Sequence, residues 1–397
     1  MSHEAIQSRS GPAPARNLAP RLPSLTGLRF VAAVMVFAFH AVALNPYASQ
    51  SAQTVTNTLF GVGGFTGVTF FFILSGFVLT CAVRPRDTTV RFWRRRFFKI
   101  YPNHLLTFGA ALLLLTVITG QGGVRFSDGL LNVLLLQSWS TTLEVRTSFN
   151  PVAWSLSCEL LFYLLFPLII KLVNKVRPER LWLWTILSAA SVLALPVVAG
   201  VLPAGTMLPF GFSDMQLYYV FHCPAGQLLT FVFGMFLAKV VLAGRRLPLK
   251  LGGAVALTVT AYFVTPLFGA LFQFGALMAI PLGLLIAAAA VADRDRVKTF
   301  MGNRLMVWLG EISFAFYLWH YFVLVAGHHW LGQGENWSTL TSAAVEVLLF
   351  AVSLVLAWLT FKLVEQPIMK RFASPRRKLA PATVTAVPSG GQADRAA

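Results

Sequence analysis

The sequence predicts an all-α integral membrane protein of about ten transmembrane helices, with both termini in the cytoplasm. Three observations carry that reading. The 397 residues are 56% hydrophobic and 12% charged, with 34 Phe and a mean hydropathy of +0.70, too little polar material to clothe a soluble domain of this size. Apolar runs of about 20 residues, the length that crosses a bilayer as a helix, recur near 24–44, 62–83, 102–120, 152–173, 181–202, 218–240, 250–268, 271–292, 306–327 and 342–363. Finally, 30 of the 32 Lys and Arg fall in segments that share one face of a ten-span arrangement. Only Arg125 and Arg146 lie on the other, and an excess of Lys and Arg marks the cytoplasmic side.

Each part of the chain then has a reading. Residues 1–22 mix Pro, Ala, Ser and Arg without the apolar core of a cleaved signal peptide, so they are expected to be a disordered cytoplasmic tail. The loop over 84–99 after the second run holds seven Lys and Arg. Leu130–Gln137 is apolar but too short to span, which predicts a re-entrant or interfacial piece on a structured loop before the fourth span. The basic loops 171–180, 239–250 and 294–304 return the chain to the same face. From Ser374 to the end, Pro, Ala, Gly and scattered charge predict a second disordered tail with no appended catalytic domain. The chemistry is therefore expected within a membrane domain over 23–373.

Composition also excludes several functions. Cys81, Cys158 and Cys223 are odd in number and lack CxxC spacing, so neither a disulfide framework nor a metal site is expected. The net charge of +18 is spread over juxtamembrane loops, which reads as orientation signal and argues against a nucleic-acid partner. A multi-span transporter or flippase is the alternative class, because buried charge also suits a substrate path. No internal repeat or pair of Gly/Pro-interrupted spans announces one.

The most informative residues are Arg29 and His40 in the first span. Eleven steps of about 100° make about three turns, so both leave one face of one helix, about 16 Å apart along its axis. Ionisable groups at membrane depth are costly unless they serve a site, the bland alternatives being an intramembrane ion pair or a snorkelling arginine. Glu159 lies near the apolar core of the fourth span, and Arg94, Arg95, Arg96 and Lys99 cluster between the second and third. Ser75, Tyr317 and His320 are further polar groups at depth, expected to pack or to orient substrate.

Six separated segments resemble the membrane acyltransferase-3 family of bacterial enzymes. They are SLTGLRFVAAVMVFAFHA around Arg29 and His40, GVTFFFILSGF over Gly67 to Phe77, RRRFFKIYP over Arg94 to Pro102, WSLSCELLFYLLFP over Trp154 to Pro167, LGEISFAFYLWH over Leu309 to His320, and VEQPIMKRF over Val364 to Phe372. Six in order from about Leu25 to Phe372 make a specific signal. Lys99 stands where Arg is usual, and Cys158 where an aliphatic residue is more common. The SLTGLRF and WSLSCE variants are similar to members that acylate macrolides.

That resemblance implies transfer of an acyl group, commonly acetyl, from cytoplasmic acyl-CoA to a hydroxyl of a carbohydrate or a secondary metabolite such as a macrolide. The enzyme would sit in the cell membrane, with acyl-CoA as co-substrate and no bound cofactor. The residues fit that chemistry. A hydroxyl is a poor nucleophile until a base takes its proton, and histidine suits that exchange near neutral pH, so His40 is the candidate general base. Glu159 is expected to orient His40, or to neutralise a buried arginine such as Arg29. Arg29 completes the catalytic set. Arg94, Arg95, Arg96 and Lys99 are candidates for the phosphates of acyl-CoA, although orientation signal and anionic lipid would produce the same cluster.

Overall fold

In the computed structural model the described residues are 22–373, apart from 45–46, 84–86, 120–124, 204, 209–210 and 333–336. The tails expected over 1–22 and 374–397 lie outside them, apart from Leu22. Among the described residues there is no β-strand, only a lone bridge between Met207 and Ser213. The chain is a multi-helix membrane protein, and among the described residues seven helical stretches are long and apolar enough to cross a bilayer.

In chain order, α1 (Pro23–Leu44) is followed by α2 (Gln50–Phe60), a short helix with no buried residue that leads into α3 (Gly63–Cys81). Most residues of α3 are buried, as expected of a helix apolar all round, and it is wedged between α1 and α10. Next comes α4 (Thr89–Thr119), whose first turns carry Arg94, Arg95, Arg96 and Lys99 ahead of the expected span. Then follow α5 (Phe126–Val133), α6 (Leu143–Arg146), α7 (Trp154–Asn174), α8 (Leu181–Val201), α9 (Asp214–Leu217) and α10 (Pro224–Leu242). The last four are α11 (Leu251–Val264), α12 (Ala279–Arg294), α13 (Arg304–Leu331) and α14 (Thr339–Thr360), the last continued by π-helical turns to Ala373.

Seven of the ten expected spans coincide with those long apolar helices. The other three fall on helices too, with differences. The run at 102–120 is the second half of α4. That at 250–268 is a shorter apolar helix, Leu251–Leu267. The run at 271–292 begins its α-helix only at Ala279. Gly275 explains the late start: its φ of +94° interrupts helical geometry, and a Cβ there would lie 2.0 Å from the Thr69 hydroxyl oxygen of α3.

Aromatic contacts bind the centre. Phe72 of α3 meets Phe162 of α7 edge-on at 5.2 Å, and Phe162 stacks on Phe231 of α10 at 4.8 Å. Such pairs contribute roughly 0.5–1.5 kcal/mol beyond their buried area. α13 packs between α1 and α14, so the face of α1 that carries His40 is covered by protein.

From Phe126 onward the loop before α7 is structured, as its apolar content predicts. Leu130–Gln137 does not form one continuous piece: α5 ends at Val133, Leu135 turns back with φ +56°, and a 3₁₀ turn follows over Gln137–Trp139. Phe149 also takes a positive φ of +58° and is buried, like Leu135. Non-glycine residues hold that conformation only where surrounding contacts dictate it. Arg146, expected on the outer face, is fully buried in this loop. Its guanidinium donates to the Thr141 and Asp214 carbonyls and lies 5.2 Å over the Tyr218 ring, and burial pulls its pKa below the usual value. Two segments distant in sequence are thereby pinned by one cation.

Candidate active site

Two cavities meet in the bundle. The larger, about 680 Å³, opens where α1 begins, α3 ends and α13 begins, and its lining runs from Pro23 and Val83 inward to Arg29, Ser75, Arg96, Glu159 and Tyr163. The smaller, about 120 Å³, shares Arg29, Arg96, Glu159 and Tyr163 and continues to Lys99, Ser155 and Tyr317. Together they form a passage from one end of the bundle to Tyr317 on α13.

The passage is electrostatically built. Arg29 comes from α1, Arg96 and Lys99 from α4, and Glu159 from α7, four positions spread over 130 residues of sequence. Glu159 accepts a hydrogen bond from Tyr163 Oη at 3.0 Å, one helical turn along α7. The Arg96 guanidinium lies 5.7 Å over the Tyr163 ring and 5.9 Å over Phe92. Lys99 donates to Glu365, whose other carboxylate oxygen accepts from Asn103 Nδ2 at 2.6 Å. Its ammonium also sits 5.6 Å over Phe314. The Nε atoms of Arg29 and Arg96 are buried without a hydrogen-bond partner. Guanidinium groups that line a cavity and keep a donor unsatisfied are suited to an anionic ligand.

The basic cluster is thus divided. Arg96 and Lys99 reach the passage. Arg95 instead pairs with Asp87, whose hydrogen bonds raise the pKa of its guanidinium, and Arg94 is exposed. One helix of 3.6 residues per turn cannot aim all four side chains at one cavity.

His40 and His320 form a second group. His40 Nδ1 lies 3.1 Å from His320 Nε2 and 3.0 Å from the Val36 carbonyl, and His320 Nδ1 lies 2.7 Å from the Tyr317 carbonyl. The acceptors assign the tautomers. His320 must carry its proton on Nδ1 to satisfy Tyr317, which leaves Nε2 as an acceptor. His40 then carries its proton on Nδ1, shared between Val36 and His320, and its Nε2 lone pair is left for a base. The residue that orients His40 in this geometry is His320, on α13. The orientation by Glu159 expected from the sequence is not what the structure brings together: the Glu159 hydrogen bond goes to Tyr163, and its charged neighbours are Arg29, Arg96 and Lys99.

Tyr317 joins the two groups. Its hydroxyl meets Ser155 Oγ at 3.0 Å and the Val152 carbonyl at 3.1 Å while its ring faces the smaller cavity, and its carbonyl holds His320. Neither histidine lines the two cavities, so the charged passage and the histidine pair are consecutive rather than coincident. Ser75 lines the larger cavity beside Tyr163.

Sequence reasoning overlooked Tyr163, Asn103 and Glu365. Tyr163 could have been found, since it stands four residues after Glu159 and so shares its helix face. Glu365 is 3% exposed inside the segment VEQPIMKRF, and a carboxylate ending an apolar span was a signal. No motif announces the pairing of Glu365 with a lysine 266 residues earlier.

Fold and site together define a helical membrane protein with a cationic passage that ends at Tyr317, whose carbonyl holds the histidine pair. The chain belongs to the membrane acyltransferase-3 family: the family model described as an acyltransferase domain matches residues 22–362. It is 38% identical to Acyltransferase MdmB of Streptomyces mycarofaciens over 370 residues, covering 91% of this chain and 95% of that protein. It is 24% identical to O-acetyltransferase OatA of Staphylococcus aureus over 374 residues, covering 88% of this chain and 57% of that one. The chain therefore spans little more than half the length of the staphylococcal relative. No solved structure matches it. The protein is an O-acyltransferase by family.

Proposed function

We propose that the protein moves an acyl group, acetyl in the simplest case, from cytoplasmic acyl-CoA to a hydroxyl of a carbohydrate or a secondary metabolite such as a macrolide. In this reading it lies in the cell membrane with ten spans and both termini cytoplasmic, residues 23–373 forming the acyltransferase domain between tails 1–22 and 374–397. The observation that carries the proposal is the passage with unsatisfied Arg29 and Arg96 donors running toward the histidine pair. Phosphates held near the mouth leave the thioester to travel about 16 Å from Arg29 to the level of His40, and the extended pantetheine arm of CoA supplies such a reach.

The reaction follows from the tautomers. His40 Nε2 takes the proton of the acceptor hydroxyl as its oxygen attacks the thioester carbonyl. The tetrahedral intermediate collapses by breaking the carbon–sulfur bond, and His40 returns the proton to the departing thiolate. His320 keeps the His40 proton on Nδ1 and shares the imidazolium charge while it lasts. Glu159 offsets the buried cations, in line with the second of its two expected roles.

The direct test uses purified protein in lipid nanodiscs with deuterated acetyl-CoA and extracts of candidate acceptors. A labelled acetyl increment on one acceptor, matched by free CoA, is expected. Movement of an acceptor across vesicles with no label transferred would replace acyl transfer by transport.

Two predictions separate roles within the passage. Arg96→Ala should raise the apparent KM for acetyl-CoA roughly 10- to 100-fold, the loss of one charge-assisted hydrogen bond, whereas Arg94→Ala and Arg95→Ala should change it less than about threefold, since neither side chain lines the passage. Equal effects at all three positions would mean that the cluster acts only as diffuse charge. Glu159→Gln should lower the melting temperature in detergent, and Arg29→Gln with Glu159→Gln should be less destabilised than the two single changes added, by about 0.5–3 kcal/mol. Strict additivity would remove the electrostatic role.

A further inference from the structure

A third cavity lies apart from the passage, on the outside of the bundle between α7, α8 and α10. It is an open groove of about 480 Å³, within the size range of small-ligand sites, lined by Leu172 and Val176, by Trp184 and Leu187, and by Val232 and Phe236. Its lining is almost wholly apolar. The two serines on it, Ser188 and Ser191, donate to the carbonyls of Thr185 and Ser188 on their own helix at 2.9 and 2.8 Å, so neither hydroxyl requires a partner in the groove. Trp184 stacks on Phe236 at 6.0 Å and forms part of the wall.

Charge collects at one end only. Lys175 follows Leu172 by three residues at the end of α7, Arg180 precedes Trp184 by four in the 3₁₀ turn that leads into α8, and Lys239 follows Phe236 by three on α10. Spacings of three and four put each cation on the same side as the groove residue named with it, one turn beyond. Lys175 and Arg180 are exposed, and the Lys239 ammonium donates to Asn174 Oδ1 at 3.1 Å. The collar falls in the basic loops that mark the proposed cytoplasmic face. An apolar slot with three cations one turn beyond one end matches an amphiphile with a hydrocarbon chain and an anionic head.

We propose that this groove binds an anionic phospholipid, one acyl chain lying along α7, α8 and α10 and the phosphate seated among Lys175, Arg180 and Lys239. Each cation near the surface contributes roughly fivefold in affinity for anionic lipid, so the three together give roughly a hundredfold preference over a zwitterionic lipid. The site is separate from the acyl-transfer passage, with which it shares no lining residue.

The test is native mass spectrometry of the full chain released from nanodiscs of phosphatidylglycerol and phosphatidylcholine in equal parts. Retention of phosphatidylglycerol is expected. It should fall at least tenfold in the Lys175→Ala, Arg180→Ala, Lys239→Ala triple variant and also in Ser188→Leu, which fills the groove and leaves the collar intact. Size-exclusion profiles and acetyl transfer establish that both variants are folded. Equal retention of the two lipids by the unaltered protein would overturn the proposal. So would loss in the triple variant alone, which would reduce the site to surface adsorption of headgroups. Efficient cross-linking of a Ser188→Cys variant to a second copy in the bilayer would assign the groove to a dimer contact instead.

Discussion

Replacing His40 by alanine is expected to lower acetyl transfer by roughly 10²- to 10⁴-fold, the usual contribution of a positioned general base, with the amount of protein in the membrane unchanged. His40 is half-buried and is held by the Val36 carbonyl and by His320 rather than by any charged group, so its loss leaves no counter-ion stranded. His320→Ala provides the companion measurement. It removes one of the two acceptors that hold the His40 proton on Nδ1, leaving the Val36 carbonyl, and roughly 10- to 100-fold of turnover should go with it, the range seen when an orienting partner is lost. Because His320 acts through His40, its removal should also move the pH dependence of kcat, while the KM for acetyl-CoA stays near that of the unaltered enzyme. Retained activity in His40→Ala would end the general-base assignment, and an unmoved pH profile in His320→Ala would make that residue a packing group.

Gly234→Leu is the change expected to damage the fold most. Gly76 of α3 and Gly234 of α10 form a reciprocal contact: a Cβ at Gly76 would lie 2.0 Å from the Phe231 carbonyl oxygen, and one at Gly234 would lie 2.0 Å from that of Ile73. Each obstacle is backbone of the opposite helix, which no rotamer change can clear. Helices in lipid gain their association from such close backbone approach, since lipid tails are as apolar as leucine. Forcing α3 and α10 apart would loosen the aromatic layer of Phe72, Phe162 and Phe231, so a cost of about 3 kcal/mol or more is expected. The measurement is the monodisperse fraction recovered in detergent and its melting temperature. Gly252→Ala on α11 is the control: nothing lies within 4 Å of its would-be Cβ, and it should be neutral or slightly stabilising. Equal behaviour of the two variants would show that the glycine contact does not hold the bundle.

Much of the site was legible at the level of residue type. Arg29, His40, Glu159, Tyr317 and His320 stand out because ionisable and hydroxyl groups are rare in apolar runs and are tolerated there only with a function or a partner. Periodicity could place Arg29 and His40 on one helix face, and it could have added Tyr163. It could not say that Glu159 faces the cations and Tyr163, or that the partner of His40 is 280 residues away. The cluster at 94–99 reads as one basic patch along the sequence, yet the turn of α4 sends Arg96 and Lys99 to the passage, leaves Arg94 exposed and gives Arg95 to Asp87.

What the sequence determined by itself was the solvent of the fold and the family of the chemistry. Helices are forced by the need of every backbone group in lipid to bond within its own segment, and six ordered motifs identify an acyltransferase. What only the tertiary structure decided was which polar groups meet. The offset at Gly275, the buried Arg146 between Thr141 and Asp214, the Lys99 to Glu365 pair and the histidine couple all depend on contacts between segments remote in the chain. Local pattern records which face of a helix is apolar. The partner on that face is set by packing, because the free energy that selects it comes from shape and hydrogen-bond satisfaction across helices rather than from any neighbour in sequence.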